Sequence, residues 1–182
     1  MRVAGGSSRG VRLRSPNSGA VRPTTSQVRS AIFNILGPRV IEGAVAADFY
    51  AGVGTLGVEG LSRGASYVNF VEVNPRQCAI IAANLHVTGF TYQARVICQR
   101  VEKVLFTLDT RHDVVLMDPP YTQPFPTQVL KHLGTDDRLL HSDSMVVVGH
   151  SSRVVPGLGY GRLALLQDRR YGDVSVAFYE VK

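Results

Sequence analysis

From residue 44 onward, short apolar runs alternate with stretches of helical periodicity, and this alternation constrains the fold more than any other feature. Residues 44–50, 67–71, 95–98, 114–117 and 145–149 read as strands. Residues 55–63, 75–87, 101–108 and 125–133 read as the helices between or beside them, the second opened by Asn74 and Pro75. Strands interleaved with helices predict a parallel sheet covered on both faces. The end of the chain breaks the pattern. Residues 162–167 and 174–181 alternate apolar and polar side chains around residues 168–173, which predicts a closing antiparallel hairpin. The expected fold is α/β, with ligands bound outside the carboxyl ends of the strands where the strand order reverses.

The chain has 182 residues and is 45% hydrophobic, enough for one sizeable core. No apolar run approaches the roughly 18 residues of a membrane-spanning helix, and the first residues lack the apolar stretch of a signal peptide. Cys78 and Cys98 stand apart without a C-x-x-C spacing or a histidine cluster. The expectation is two reduced thiols in a cytoplasmic protein, with no metal site.

Charge is distributed unevenly. The net +6 is accounted for by residues 1–42, which hold Arg2, Arg9, Arg12, Arg14, Arg22, Arg29 and Arg39 against the single acid Glu42; the remainder is neutral. The planar guanidinium fork fits phosphate oxygens, so Arg2, Arg9, Arg12, Arg14, Arg22 and Arg29 are expected to contact nucleic acid. A merely solvated arm is the competing reading. Residues 1–6 and 10–14 have the pattern of a short hairpin through residues 7–9. Thr24, Thr25 and Ser26 supply helix-start chemistry. Val28, Ile32, Ile35 and Leu36 then fall on one helical face, ended by Gly37-Pro38. The expected organisation is a basic arm over residues 1–22 and a core domain over residues 23–182.

The first strand runs into Asp48-Phe49-Tyr50-Ala51-Gly52-Val53-Gly54-Thr55-Leu56-Gly57. Glycines at 52 and 54 allow a tight turn into a helix, and Glu72 ends the next strand 20 residues after Gly52. That is where a carboxylate meets ribose hydroxyls in nucleotide-binding βαβ units. The string also matches G-x-G-x-x-G, so NAD(P) must be weighed. Asp48 just before the turn would repel a pyrophosphate and attract a cationic sulfonium, which favours S-adenosylmethionine over NAD(P).

Asp118-Pro119-Pro120-Tyr121 follows an apolar strand. The lone pair of a base's exocyclic amine is delocalised into its ring, so the nitrogen is a poor nucleophile. Asp118 and the Pro119 carbonyl can each accept one of its N–H bonds and turn the lone pair towards a methyl donor. The prolines hold that geometry, and Tyr121 offers a face for the base. A proline-stiffened loop without chemistry is the alternative.

At this point a family becomes visible. Arg22-Pro23-Thr24-Thr25, Val28-Arg29, Ile32-Phe33-Asn34-Ile35-Leu36, Tyr50-Ala51-Gly52-Val53-Gly54-Thr55-Leu56-Gly57-Val58-Glu59, Leu61-Ser62-Arg63 and Asp118-Pro119-Pro120-Tyr121 resemble the RsmD family, as do residues 2–6 and Arg169-Arg170-Tyr171-Gly172-Asp173. These are bacterial S-adenosylmethionine-dependent methyltransferases of a guanine N2 amine in 16S rRNA. The resemblance implies a Rossmann-like class I methyltransferase with a seven-stranded sheet and an N-terminal hairpin extension. It implies a catalytic group of Asp118, Pro119, Pro120 and Tyr121. It also implies a cofactor bay of Thr24, Asp48, Tyr50, Ala51, Gly52, Gly54, Thr55, Leu56, Glu72, Val73, Val101 and Asp118. The implied partner is 16S rRNA or the assembling small subunit, met by a monomer that needs no metal.

Three positions depart from the family pattern. Arg100 stands where an Asn or Asp often meets the adenine amine, leaving backbone and apolar contacts such as Val101. Gly149, followed by His150, stands where a Glu is common, and Val53 replaces a usual Ser. Glu59 is a candidate for placing the arginine-bearing helix. Asn84, the scattered histidines and Ser151-Ser152 read as structural or surface residues. Two other functions fit the motifs: a DNA adenine or cytosine amino methyltransferase, and a non-catalytic RNA-binding protein on the same fold.

Overall fold

The computed structural model describes residues 1–15 and 25–182. The helix α1 (Ser26–Leu36) is followed by the short α2 (Pro38–Ile41), and then by β1 (Val45–Phe49), α3 (Thr55–Ser62), β2 (Tyr67–Glu72) and α4 (Pro75–Thr88). Next come β3 (Ala94–Cys98), α5 (Val101–Val104), β4 (His112–Met117), α6 (Thr127–Thr135) and β5 (Leu140–Ser151). The chain closes with β6 (Gly159–Tyr160), β7 (Leu163–Tyr171) and β8 (Val174–Val181). One sheet runs β3-β2-β1-β4-β5-β8-β7-β6. The first five strands are parallel, whereas β8 pairs antiparallel with both β5 and β7. The seven expected strands are present, and the two-residue β6 adds an eighth at the edge.

Alternation along the strands sends Ala46, Val114, Leu116, Val147 and Val176 into one core with α1, α3 and α4. Ala47, Val115, Met117, Val148 and Ala177 enter a second core with α5 and α6. Both faces are therefore covered, as continuous apolar strands require. Strand order reverses between β1 and β4, so the crevice at their carboxyl ends is where such sheets place a ligand.

Several boundaries moved: β5 begins at Leu140 rather than residue 145 and runs to Ser151, and α6 covers Thr127–Thr135 rather than residues 125–133, while Gly37-Pro38 ends α1 as expected. The helix expected over residues 101–108 regularises only over Val101–Val104, and the rest is turn. Pro38 serves as the first residue of α2, where its missing N–H costs nothing. Residues 168–171, expected in a loop, belong to β7, because the β7–β8 register closes at Tyr171↔Val174 and leaves only Gly172-Asp173 to turn.

The N-terminal hairpin forms, with Arg2 bridged to Arg12 and with Val3 N–H donating to Val11 O (3.0 Å) and Leu13 N–H to Met1 O (2.9 Å). It lies against the body, burying Val3 and Leu13 in the first core. Glu59, fully buried on α3, accepts from Ala4 N–H (2.8 Å), Arg29 Nε (3.2 Å) and Arg63 Nε (2.8 Å), joining hairpin, α1 and α3. Arg29 also donates to Arg2 O (2.7 Å). The expectation that Arg29 contacts RNA is corrected here. It is 1% exposed and ion-paired with Glu59, so its charge faces the interior.

Candidate active site

The glycine loop is shaped by backbone conformations that only small residues adopt easily. Gly52 and Gly54 have φ of 58° and 80°, and Gly54 is the N-cap of α3. Tyr50, at φ 58°, is the non-glycine exception, and such a residue persists only where its surroundings hold it. Its hydroxyl donates to Glu102 Oε1 at 3.0 Å, tying the loop to α5.

Two carboxylates brace the loop. Glu72, at the end of β2, accepts Gly52 N–H through Oε2 (2.8 Å) and Asn74 N–H through Oε1 (2.8 Å). Asp48, 1% exposed in β1, accepts Gly57 N–H (2.8 Å), a donor of the first turn of α3. Burial pushes the Asp48 carboxyl well above the usual carboxylate range against the pull of that hydrogen bond. The charges of Asp118 and Glu72 push it further. The three acids thus lie near enough to one another, at the ends of β1, β2 and β4, for a cationic group to relieve their mutual repulsion.

Asp118 follows β4 beside the end of β1, as the β1–β4 register dictates. The Tyr121 hydroxyl donates to Asp118 Oδ1 at 3.1 Å. Burial first, then the Asp118 carboxylate, raises this hydroxyl above the ordinary phenol range, which keeps it a donor. Pro119 is buried, and Pro120 and Tyr121 are exposed at the surface. A narrow cleft lies against Asp118 and Tyr121, walled by Val28 and Ile32 of α1 and by Gly149 and Val176. Pro120, Tyr121, Phe125 and His150 line a second narrow cleft.

The sequence reading missed several of these residues. A Cβ at position 149 would lie 2.6 Å from Asp118 Oδ1, so the acid is seated in space that a side chain there would fill. The departure from the family pattern at Gly149 was the available signal, but its consequence is steric and needed the β4–β5 pairing to be read. His150 is buried, with Nε2 3.0 Å from Asp168 Oδ1 and Nδ1 2.9 Å from Ser151 O. Val28 and Ile32, expected only as core, also wall the cleft.

Of the cofactor-bay candidates, Tyr50, Ala51, Gly52 and Gly54 form the turn between β1 and α3, and Thr55 and Leu56 open α3. Val73 follows Glu72 and is exposed, whereas Val101 is buried at the start of α5. Arg100 is exposed beside it. Thr24 and Arg22 lie outside the described residues. Thr25 is the N-cap of α1, its side chain accepting from Val28 N–H at 3.3 Å. Arg2, Arg9, Arg12 and Arg14 are exposed on the hairpin. Among the described residues, no group of three or more His, Cys, Asp or Glu side chains is placed to hold a metal.

The sequence profile described as Conserved hypothetical protein 95 matches residues 1–180, nearly the whole chain. The chain belongs to that family. It is also similar to Ribosomal RNA small subunit methyltransferase D of Escherichia coli (strain K12), with 31% identity covering 99% of this chain and 89% of that one. This agrees with the RsmD resemblance read from the motifs. A solved structure described as a conserved hypothetical protein of Streptococcus pyogenes is 31% identical, covers 85% of this chain and 96% of its own, and has a TM-score of 0.79. An RNA methyltransferase from Salinibacter ruber, solved with S-adenosyl-L-homocysteine, shares the fold at a TM-score of 0.66 and 17% identity, over 88% of this chain and 94% of its own.

Proposed function

We propose that this protein transfers a methyl group from S-adenosylmethionine to the exocyclic N2 amine of a guanine in 16S rRNA. The observation that carries this reading is the convergence of Asp48, Glu72 and Asp118 at the carboxyl ends of β1, β2 and β4, with Tyr121 bonded to Asp118. The family membership and the name of the Escherichia coli relative support rRNA methylation as the coarser reaction.

The residues present suit this cofactor. Each Glu72 oxygen accepts one backbone N–H, and a carboxylate has about four lone-pair sites, so two sites remain for the ribose hydroxyls. A positive charge on the methionine side of the bay would favour the ionised form of the buried Asp48. A dinucleotide fits less well, because Asp48 already occupies Gly57 N–H, a donor of the helix start where a pyrophosphate would bond. When bound, S-adenosylmethionine would supply an electrophilic methyl group, open to in-line attack by a nitrogen lone pair with S-adenosylhomocysteine as the leaving group. Asp118 and the Pro119 carbonyl accept the amine's hydrogens and aim its lone pair, while the Tyr121 ring supports the base. Val28 and Ile32 wall the cleft against water.

Replacing Glu72 by Ala should weaken S-adenosylmethionine binding by about 1–3 kcal/mol, the scale of hydrogen bonds to a charged acceptor. The variant also frees Gly52 N–H, so the loss should reach the upper part of that range. Calorimetry measures it. Unchanged affinity would reduce Glu72 to a loop brace, and NADH binding in the same assay would favour a dehydrogenase instead.

The exposed arm arginines should act on RNA without base preference, because phosphate contacts position a protein but do not read sequence. Replacing Arg9, Arg12 and Arg14 together by Ala should lower the magnitude of the log–log salt slope by roughly two units, at about 0.7–0.9 per lost contact. Filter binding across a salt series tests this, and an unaltered slope would make the arm a solvated face.

The function as a whole is tested by supplying labelled S-adenosylmethionine with undermodified 30S particles, naked 16S rRNA or DNA, and mapping the modified base. Label on guanine N2 of the rRNA is expected. Label on an adenine or cytosine amine of DNA would replace this reading.

A further inference from the structure

Asn84 looks from sequence like a surface or capping residue of α4, but it is fully buried. Its Oδ1 accepts Arg14 N–H at 2.7 Å, and its Nδ2 donates to Arg14 O at 3.2 Å and to Val53 O at 2.9 Å. The orientation of the amide follows from its partners, since the flipped form would set an oxygen against two carbonyls. One side chain therefore grips the backbone of the hairpin on both sides of Arg14. With the same nitrogen it holds the carbonyl between Gly52 and Gly54. These partners are 70 and 31 residues distant in sequence.

The hairpin is fastened elsewhere to Arg29 of α1 and Glu59 of α3, and to the ends of α3 and α4. Ser62 Oγ donates to Gly5 O (2.6 Å) and accepts Ser8 N–H (2.9 Å), and Ser8 Oγ donates to Thr88 O (3.2 Å). Those contacts seat the arm without touching the glycine loop. The Asn84 amide does both. Its two N–H hydrogens are divided between arm and loop, so losing the arm leaves the amide free to turn and the Val53 carbonyl less well held. Buried polar networks of this kind are stiff when every member is satisfied and loose when one is lost.

We propose that Asn84 is a positioning residue coupling the N-terminal arm to the glycine loop, so that RNA held on the arm tightens S-adenosylmethionine binding, and the cofactor tightens RNA binding by the same factor. The inference rests on the function proposed above. RNA bridging the exposed arginines pins the hairpin to the body, and the pinned hairpin fixes the amide on Val53. A ligand that orders a shared element removes that ordering cost from the second ligand, and the coupling is reciprocal.

The test is a binding cycle on the full chain. S-adenosylmethionine is titrated by calorimetry without and with a saturating 16S rRNA transcript, in the wild type and in Asn84→Asp. This substitution keeps the size and the acceptor facing Arg14 N–H but removes both donors. RNA is expected to tighten the cofactor about fivefold or more in the wild type, a common allosteric magnitude, and hardly at all in the variant. Hydrogen exchange should quicken at Val3, Leu13, Gly52 and Gly54 in the variant while residues 114–117 of β4 stay protected, an outcome that general destabilisation would not give.

If Asn84→Asp does not fold, two substitutions at the exposed Arg14 replace it. Arg14→Pro removes the N–H that Asn84 receives and should lose the coupling. Arg14→Ala loses the same charge, keeps the N–H and should retain the coupling. Equal coupling in the wild type and in Asn84→Asp or Arg14→Pro would overturn the inference. So would a wild type that binds both ligands independently. A wild type that binds neither would overturn the proposed function, and the coupling with it.

Discussion

Asp118→Ala loses about 10²–10³ in kcat, the usual effect of removing one preorganised group that acts in the transition state. S-adenosylmethionine affinity should fall far less than the rate, because in the proposed reaction the main partner of this carboxylate is the amine. The Tyr121 hydroxyl loses its acceptor at the same time, so the stacking face becomes less well fixed and the upper end of the range is expected. Single-turnover methyl transfer with labelled cofactor, beside a calorimetric titration, separates the two effects. A near wild-type rate would remove Asp118 from the chemistry. An equal loss in cofactor binding and rate would leave Asp118 a cofactor-bay role alone.

Glu59→Ala should be the most damaging single change to stability. Removing one partner of a buried ion pair typically costs about 3–5 kcal/mol, because the remaining charge loses its counter-ion. Here the remaining charge is Arg29, 1% exposed, which loses the Glu59 carboxylate and keeps its bond to Arg2 O. Ala4 N–H and Arg63 lose their acceptor as well, so the hairpin loosens with the core. For a chain of this size the loss corresponds to a fall in Tm of roughly 6–20 °C, at about 2–4 °C per kcal/mol. Arg63→Ala should cost far less, since Arg63 keeps part of its side chain in water and exposed pairs are worth little. Replacing Arg29 and Glu59 together by Met and Leu should recover much of the loss, because an apolar pair needs no desolvated charge. Thermal unfolding of the three variants decides the matter. A Glu59→Ala protein as stable as Arg63→Ala would show that Arg29 finds another partner.

The sheet and the acids of its rim were legible in the sequence because each depends on local chemistry. Apolar runs of strand length, a helix start at Asn74-Pro75 and glycines at 52 and 54 specify their own backbone wherever they stand. The 20-residue step from Gly52 to Glu72 is one βαβ unit, so it forecast that carboxylate beside the loop, where it accepts Gly52 N–H. The Asp-Pro-Pro-Tyr string likewise carries its geometry within four residues.

What escaped the sequence depends on which strand lies next to which. Gly149 matters because β5 sits beside β4 and brings its Cα against Asp118, a proximity between residues 31 positions apart. Arg29 was grouped with the phosphate-binding arginines because charge along a sequence does not tell which face of α1 is turned inward. Glu59, on another helix, decided that. Asn84 reads from sequence as a capping or surface amide because its partners are the backbone groups of Arg14 and Val53, which no side chain signals. Backbone carbonyls and N–H groups occur at nearly every residue, so a pattern of side chains cannot show which of them a buried amide will meet. The sequence determined the parallel sheet, the turn and the acids around the bay, since these are set by neighbours along the chain. The tertiary structure alone decided which arginine is buried and what joins the arm to the loop, because those depend on contacts the chain makes only when it is packed.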